Sequence, residues 1–149
     1  MTRGLIFGQD NVVAAWAFST FKIFPTRVDR AVGIVETDGT LIGAFLLENF
    51  NGYNIELSYY GPWTTTPGIV RSIARMALHE FDPARATVIT SKRNKRLIKA
   101  LLKFGWRVEG IQRCFYGKQD TQRNTGVRLV MFRDQIEYIA GVRTRNAAG

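Results

Sequence analysis

Few residues in this chain carry acid–base or nucleophilic chemistry, and their scarcity narrows what it can do. His79 is the sole histidine and Cys114 the sole cysteine. A histidine pair, a serine–histidine relay, a cysteine-bearing metal cluster and an internal disulfide are therefore all excluded within one chain, and no metal site is expected. His79 falls late in a helical stretch, where a helix-end or surface role is expected. Cys114 sits beside Arg113 with no histidine near it in sequence, which reads as a small buried residue rather than a nucleophile. Glu56 stands out because, Glu80 apart, it is the only carboxylate between Ile55 and Phe81. It shares the polar face of an alternating stretch with Ser58 and Tyr60, where it is either a solvated strand residue or a base. The run Thr66-Pro67-Gly68-Ile69-Val70-Arg71 offers a different chemistry. Threonine as cap and proline at the first position open a helix there, and the free amides and dipole of such an end attract anions. An ordinary capped helix would read the same way.

Composition sets the frame for these groups. The chain has 149 residues, 46% of them apolar, which suits one domain with a sizeable core. Its net charge is +9, which favours a polyanionic partner or simply a solubilising surface. No apolar run reaches the roughly 18 residues of a membrane span, and residues 12–24 are broken by Ser19, Thr20 and Lys22. Residues 1–10 do not read as a secretory signal, so a cytoplasmic protein with no membrane partner is expected.

The elements that must position these residues can be read from periodicity and turn chemistry. A short strand is expected at 4–7, then a helix from Asp10, capped by that residue, with Val12, Val13, Trp16, Ala17 and Phe21 near one face. Strands at 30–36 and 40–48 flank the turn residues Asp38-Gly39, and Asn-Gly-rich 49–53 leads to an alternating strand at 54–60. A helix follows from Pro67 to Phe81, then a strand at 86–90. Asn94 reads as the cap of a short helix with a Leu97, Ile98, Leu101, Leu102 and Phe104 stripe, ended by Gly105. A strand at 106–116, a polar loop at 117–125 and a return strand at 127–132 complete a hairpin. Residues 1–142 form one expected domain, with 143–149 a frayed tail. The class is α+β, a mostly antiparallel mixed sheet covered by helices.

The order Asn94, short Leu-rich helix, Gly105-Trp106, Glu109-Gly110 and Arg113 resembles the C-terminal half of the GNAT N-acetyltransferase superfamily. The order of elements resembles the GNAT fold over about 5–132. The Gly61-Pro62-Trp63 turn is most similar to short phage-encoded members. The resemblance implies an acetyl-CoA-dependent enzyme that transfers an acetyl group to a primary amine. It implies that Thr66, Gly68, Ile69, Val70 and Arg71 hold the pyrophosphate, with Asn94 contacting the cofactor from the next helix. Lys92, Arg93, Lys95 and Arg96 around it would meet the 3′-phosphate, face nucleic acid, or stay solvated.

The chain departs from the family pattern in two places. The loop that usually reads Arg or Gln, two residues, Gly, one residue, Gly or Ala aligns here with Thr65, Gly68 and Val70, so only the first glycine is kept. Where many members carry a tyrosine four residues before the Gly-aromatic pair, this chain has Leu101. Tyr116 is then the substitute acid that protonates the departing thiolate, and Glu56 or Ser58 the base for the amine. The same departures motivate an alternative, a non-catalytic module whose basic surface holds nucleic acid or an acidic protein. The acceptor, a small molecule or a protein amine, has no code in the loops at 24–29 and 117–125. A homodimer through the edge of the terminal hairpin is open to it.

Overall fold

A computed structural model describes residues 4–62 and 66–142. The elements run β1 (Gly4–Ile6), α1 (Asp10–Phe21), β2 (Val28–Val35), β3 (Leu41–Glu48), β4 (Asn54–Tyr60), α2 (Pro67–Phe81), β5 (Arg85–Ser91), α3 (Lys95–Lys103), β6 (Arg107–Gln112), β7 (Gly126–Phe132) and α4 (Arg133–Ala140). The strands form one seven-stranded sheet in the order β1-β2-β3-β4-β5-β7-β6. All neighbours are antiparallel except β4 and β5. The expected α+β mixed sheet is therefore the observed one. Trp63, Thr64, Thr65 and the tail at 143–149 lie outside the described residues.

The parallel pair at the centre matters most. Both strands have seven residues, yet they pair only at Asn54–Arg85, Ile55–Ala86 and Glu56–Thr87. Beyond Glu56, β4 keeps its ladder with β3, from Leu47–Leu57 to Ala44–Tyr60, while β5 keeps its own with β7. The two strands diverge, and the sheet opens into a V between 57–60 and 88–91.

The two faces of the sheet are covered unequally. Strand alternation puts Ile55, Leu57 and Tyr59 with the large cluster that includes Ile69, Ile73, Leu101, Trp106, Leu129 and Ile136. Helices α2 and α4 close that side and are tied together where Arg75 Nε donates to the Ala140 carbonyl at 2.7 Å. On the other side α1 buries Val13, Ala14 and Ala17 over Ala31, Ala44 and Leu46, with Tyr60 at the margin.

Several local expectations change. Gln9, not Asp10, holds the cap position of α1, and no side chain caps it. Asp10 instead accepts from Arg30 Nε at 2.7 Å and from the Ala31 amide at 3.0 Å, which pins α1 to β2. Val12 and Phe21 are exposed. The strand expected at 106–116 stops at Gln112. Cys114 there has φ of 57°, a left-handed turn residue that is exposed rather than buried. Asn94 stands at the cap position of α3 but makes no capping bond; its Nδ2 donates to Thr90 Oγ1 at 3.0 Å. Helix α4 was not expected at all.

Candidate active site

The V between β4 and β5 opens a cavity of about 450 Å³. One wall is Leu57, Ser58, Tyr59 and Tyr60 of β4; the other is Val88, Ile89, Thr90 and Ser91 of β5. Helix α2 contributes Val70, Ile73 and Ala77, and Trp106, Met131 and Ile136 line it from beyond β5. Because Ser58 and Tyr60 belong to one face of the sheet and Leu57 and Tyr59 to the other, the cavity passes through the sheet. Its lining is mostly apolar with a few polar groups, the usual make-up of a site for a small organic ligand.

The expected cofactor residues separate into distinct roles. Thr66 caps α2: its Oγ1 accepts from the Ile69 amide at 3.3 Å, and its carbonyl from the Val70 amide at 3.1 Å. Those two amides are spent, and Pro67 has none, so the amide of Gly68 is the one at this helix end with no partner among the described residues. A Cβ on Gly68 would meet nothing nearer than Thr66 Oγ1 at 3.8 Å. That is an ordinary contact, so among the described residues a side chain there meets no clash. Val70 lines the cavity, whereas Ile69 is buried in the core. Arg71 is exposed, its Nε 3.8 Å from where a Cβ on Gly141 would stand, near the C-terminal end of α4. Asn94 lines the cavity from the start of α3. Around it Lys92, Arg93, Lys95 and Arg96 are all exposed, and none makes an ion pair among the described residues.

Of the three expected catalytic residues, two reach the cavity. Ser58 and Tyr116 line it; Glu56 does not. Glu56 is engaged elsewhere, accepting from Asn49 Nδ2 at 3.0 Å and lying 3.8 Å from the Arg128 guanidinium. Tyr116 keeps 47% of its surface exposed, but burial of its phenol, reinforced by neighbouring Tyr60, pushes its pKa up to about 12. Burial also raises the Tyr60 phenol, with the Glu48 charge adding to the shift. Leu101, at the position of the missing family tyrosine, is buried and lines the same cavity. Tyr116 thus faces the space that such a tyrosine would share.

Sequence reasoning passed over Glu48. It is the last residue of β3 and only 3% exposed, the one charged side chain among the buried described residues. Its carboxylate accepts from Ser58 Oγ and from Thr26 Oγ1. The signal was present in the alternation Ala44, Leu46, Glu48, which puts the glutamate on a buried face.

No family model matches this chain, and no curated protein matches it. Solved structures do. A mutant form of spermidine/spermine N-acetyltransferase SpeG from Vibrio cholerae superposes with a TM-score of 0.64 at 11% identity, covering 95% of this chain and 100% of that one. Ribosomal-protein-S5-alanine acetyltransferase from Vibrio fischeri gives 0.63 at 15% identity, over 89% and 92% of the two chains. IAA acetyltransferase from Bacillus cereus gives 0.63 at 13%, over 89% and 100%. At such identities the likeness establishes the fold, and it is the GNAT acyl-CoA N-acyltransferase fold. Among the described residues, no helix is long and apolar enough to cross a membrane, and no group of three or more His, Cys, Asp and Glu could hold a metal.

Proposed function

We propose that this chain is an acetyl-CoA-dependent N-acetyltransferase that acetylates a primary amine by direct attack on the thioester. The observation that carries the reading is the opening between β4 and β5, with an apolar cavity running through it and the start of α2 beside it. A structure of spermidine N-acetyltransferase from Vibrio cholerae in complex with CoA and spermine shares the fold, at a TM-score of 0.58 and 11% identity over 72% of this chain and 67% of that one. It supports both the cofactor and an amine acceptor. We keep the chain among the short phage-encoded members that its Gly61-Pro62-Trp63 turn resembles.

The residues present fit the group. The pantetheine arm suits the cavity wall at 57–60, the pyrophosphate the space at Gly68 and the end of α2, with Arg71 within reach of its charge. Asn94 faces the cavity, and Lys92, Arg93, Lys95 and Arg96 give the 3′-phosphate a cationic surround. Bound acetyl-CoA supplies an activated acyl carbonyl and a thiolate leaving group. The chain supplies orientation, exclusion of water and two protonic groups. Tyr116, whose raised pKa keeps its phenol protonated, donates toward the sulfur. Ser58 receives the amine at the β4 wall of the cavity. Glu56, held by Asn49 and Arg128, is given no proton-transfer step.

Thiol release from acetyl-CoA, followed with benzylamine, tyramine, spermidine and a peptide with a free N-terminus as acceptors, tests the reading. Amine-dependent release that stops on Ser58→Val supports it. Calorimetry showing no acetyl-CoA binding at millimolar concentration would refute it.

A further inference from the structure

We propose that Glu48 is the anionic anchor and proton sink for the acceptor amine, acting through Ser58 as a positioning residue. The inference rests on the acetyl-transfer reading and deepens it.

Buried carboxylates ordinarily have a cation beside them, because two hydroxyl donors alone do not repay the loss of water around a full charge. Among the described residues Glu48 has those two hydroxyls and no more. Thr26 Oγ1 and Ser58 Oγ donate to it, and among the described residues no lysine or arginine pairs with it. In a chain with 21 such residues, a buried carboxylate with no cation paired to it among the described residues marks a place for a ligand cation. Ser58 is the way to it. One end of that hydroxyl is bonded to Glu48 and the residue lines the cavity, so a ligand ammonium lying against Ser58 meets the field of a poorly screened negative charge.

The surroundings define the rest of the ligand. Ile23, Tyr60 and Tyr116 line the cavity on the Ser58 side, so the ammonium is carried on an apolar or aromatic arm. The groups facing Glu48 are Thr26 from the loop after α1, Ser58, Tyr60 and its register partner Glu56 from β4, and apolar Val28 from β2. The one other carboxylate among them, Glu56, is bonded by Asn49 Nδ2 at 3.0 Å and lies 3.8 Å from the Arg128 guanidinium. The step balances without any other reactant. An N–H bond of the ammonium breaks and its proton passes to Ser58 Oγ. The original Ser58 proton passes to Glu48, which becomes a neutral acid, and the nitrogen keeps the lone pair for attack.

Glu48→Gln tests this, since it keeps the volume and one accepting oxygen, lets its amide nitrogen donate to the second hydroxyl, and removes the charge. The readouts are binding and turnover with two matched probes. Benzylammonium and benzyl alcohol are titrated into the complex with CoA; benzylamine and O-benzylhydroxylamine, a weak base already neutral at pH 7, are compared as acceptors. The expected result is at least a tenfold loss of benzylammonium affinity with benzyl alcohol and acetyl-CoA unchanged. The kcat/KM for benzylamine is expected to fall by about 100-fold, the usual worth of a positioned base, and that for O-benzylhydroxylamine far less. Equal losses for both acceptors, or none, would overturn the assignment, as would wild-type protein that does not prefer benzylammonium to the alcohol. A wild type that binds acetyl-CoA but acetylates no amine would instead sink the acetyl-transfer reading, and this one with it. A melting temperature for Glu48→Gln near that of the wild type separates all these results from misfolding.

Discussion

Replacing Gly68 with glutamate should push stability and cofactor affinity in opposite directions. The backbone there is ordinary helix, and a Cβ would find only Thr66 Oγ1 at 3.8 Å, so the larger residue fits without strain. Removing a glycine from a helix is worth about 0.5–1 kcal/mol. A carboxylate in the first turn of α2, which has no acidic residue there, adds about 0.3–1 kcal/mol from the helix dipole. The sum of about 1–2 kcal/mol raises Tm by roughly 2–6 °C in a domain of this size. The same carboxylate occupies the space that the account gives to the pyrophosphate, and like charges at that range should weaken acetyl-CoA binding by at least 100-fold, about 2.7 kcal/mol. Differential scanning fluorimetry with and without 1 mM acetyl-CoA, at ~1 mM so that the shift is set by affinity alone, reads both effects in one plate. The variant should melt higher than wild type without ligand and gain about 2.7 kcal/mol less from added ligand, or nothing where that exceeds the wild-type gain. Undiminished protection by acetyl-CoA would refute the placement of the anion at this helix end. A lowered melting point without ligand would refute the reasoning about the backbone.

Other expectations follow from particular groups. Tyr116→Phe should lower kcat with little change in acetyl-CoA affinity, read by steady-state kinetics and calorimetry. Because the folded phenol sits at about 12 against an ordinary 10.0, the neutral form is the one the fold favours. Its contribution is complete below pH 10 and is lost as pH rises toward 12, so alkaline melting curves of wild type should fall faster over that window than those of Tyr116→Phe. In the core, Leu129 is fully buried in the large cluster, and Leu129→Ala should cost about 3 kcal/mol in urea unfolding. By contrast, Glu109 is held below the usual carboxylate range by its bond from Arg85, but both side chains are about a third exposed. Glu109→Gln should therefore cost under about 1 kcal/mol, and only above the pH at which an unfolded glutamate ionises.

Legibility in the sequence followed how local each signal was. The bounds of β4 and the start of α2 were readable residue by residue, because alternation between Asn-Gly and Gly-Pro closes a strand and Thr66-Pro67 opens a helix. Helix α4 carried no such mark. It follows β7 with no connecting loop, Phe132 offers no capping side chain, and its apolar residues Ile136 and Ala140 acquire meaning only against α2. Asn94 was read as a cap because its type suits one; the hydroxyl of Thr90, four residues back across the turn, took its amide instead. Glu48 drew no reading of its own, since its partner Thr26 lies 22 residues away in sequence. The opening between β4 and β5 carried no local mark in the sequence. Nothing in the alternation of either strand says where two parallel neighbours stop pairing.

The most direct measurement is a crystal structure of the chain with CoA. The account expects the pantetheine arm between 57–60 and 88–91, the pyrophosphate beside Gly68, and the sulfur within reach of Tyr116. CoA bound elsewhere on the basic surface, with the opening between β4 and β5 empty or closed, would contradict it.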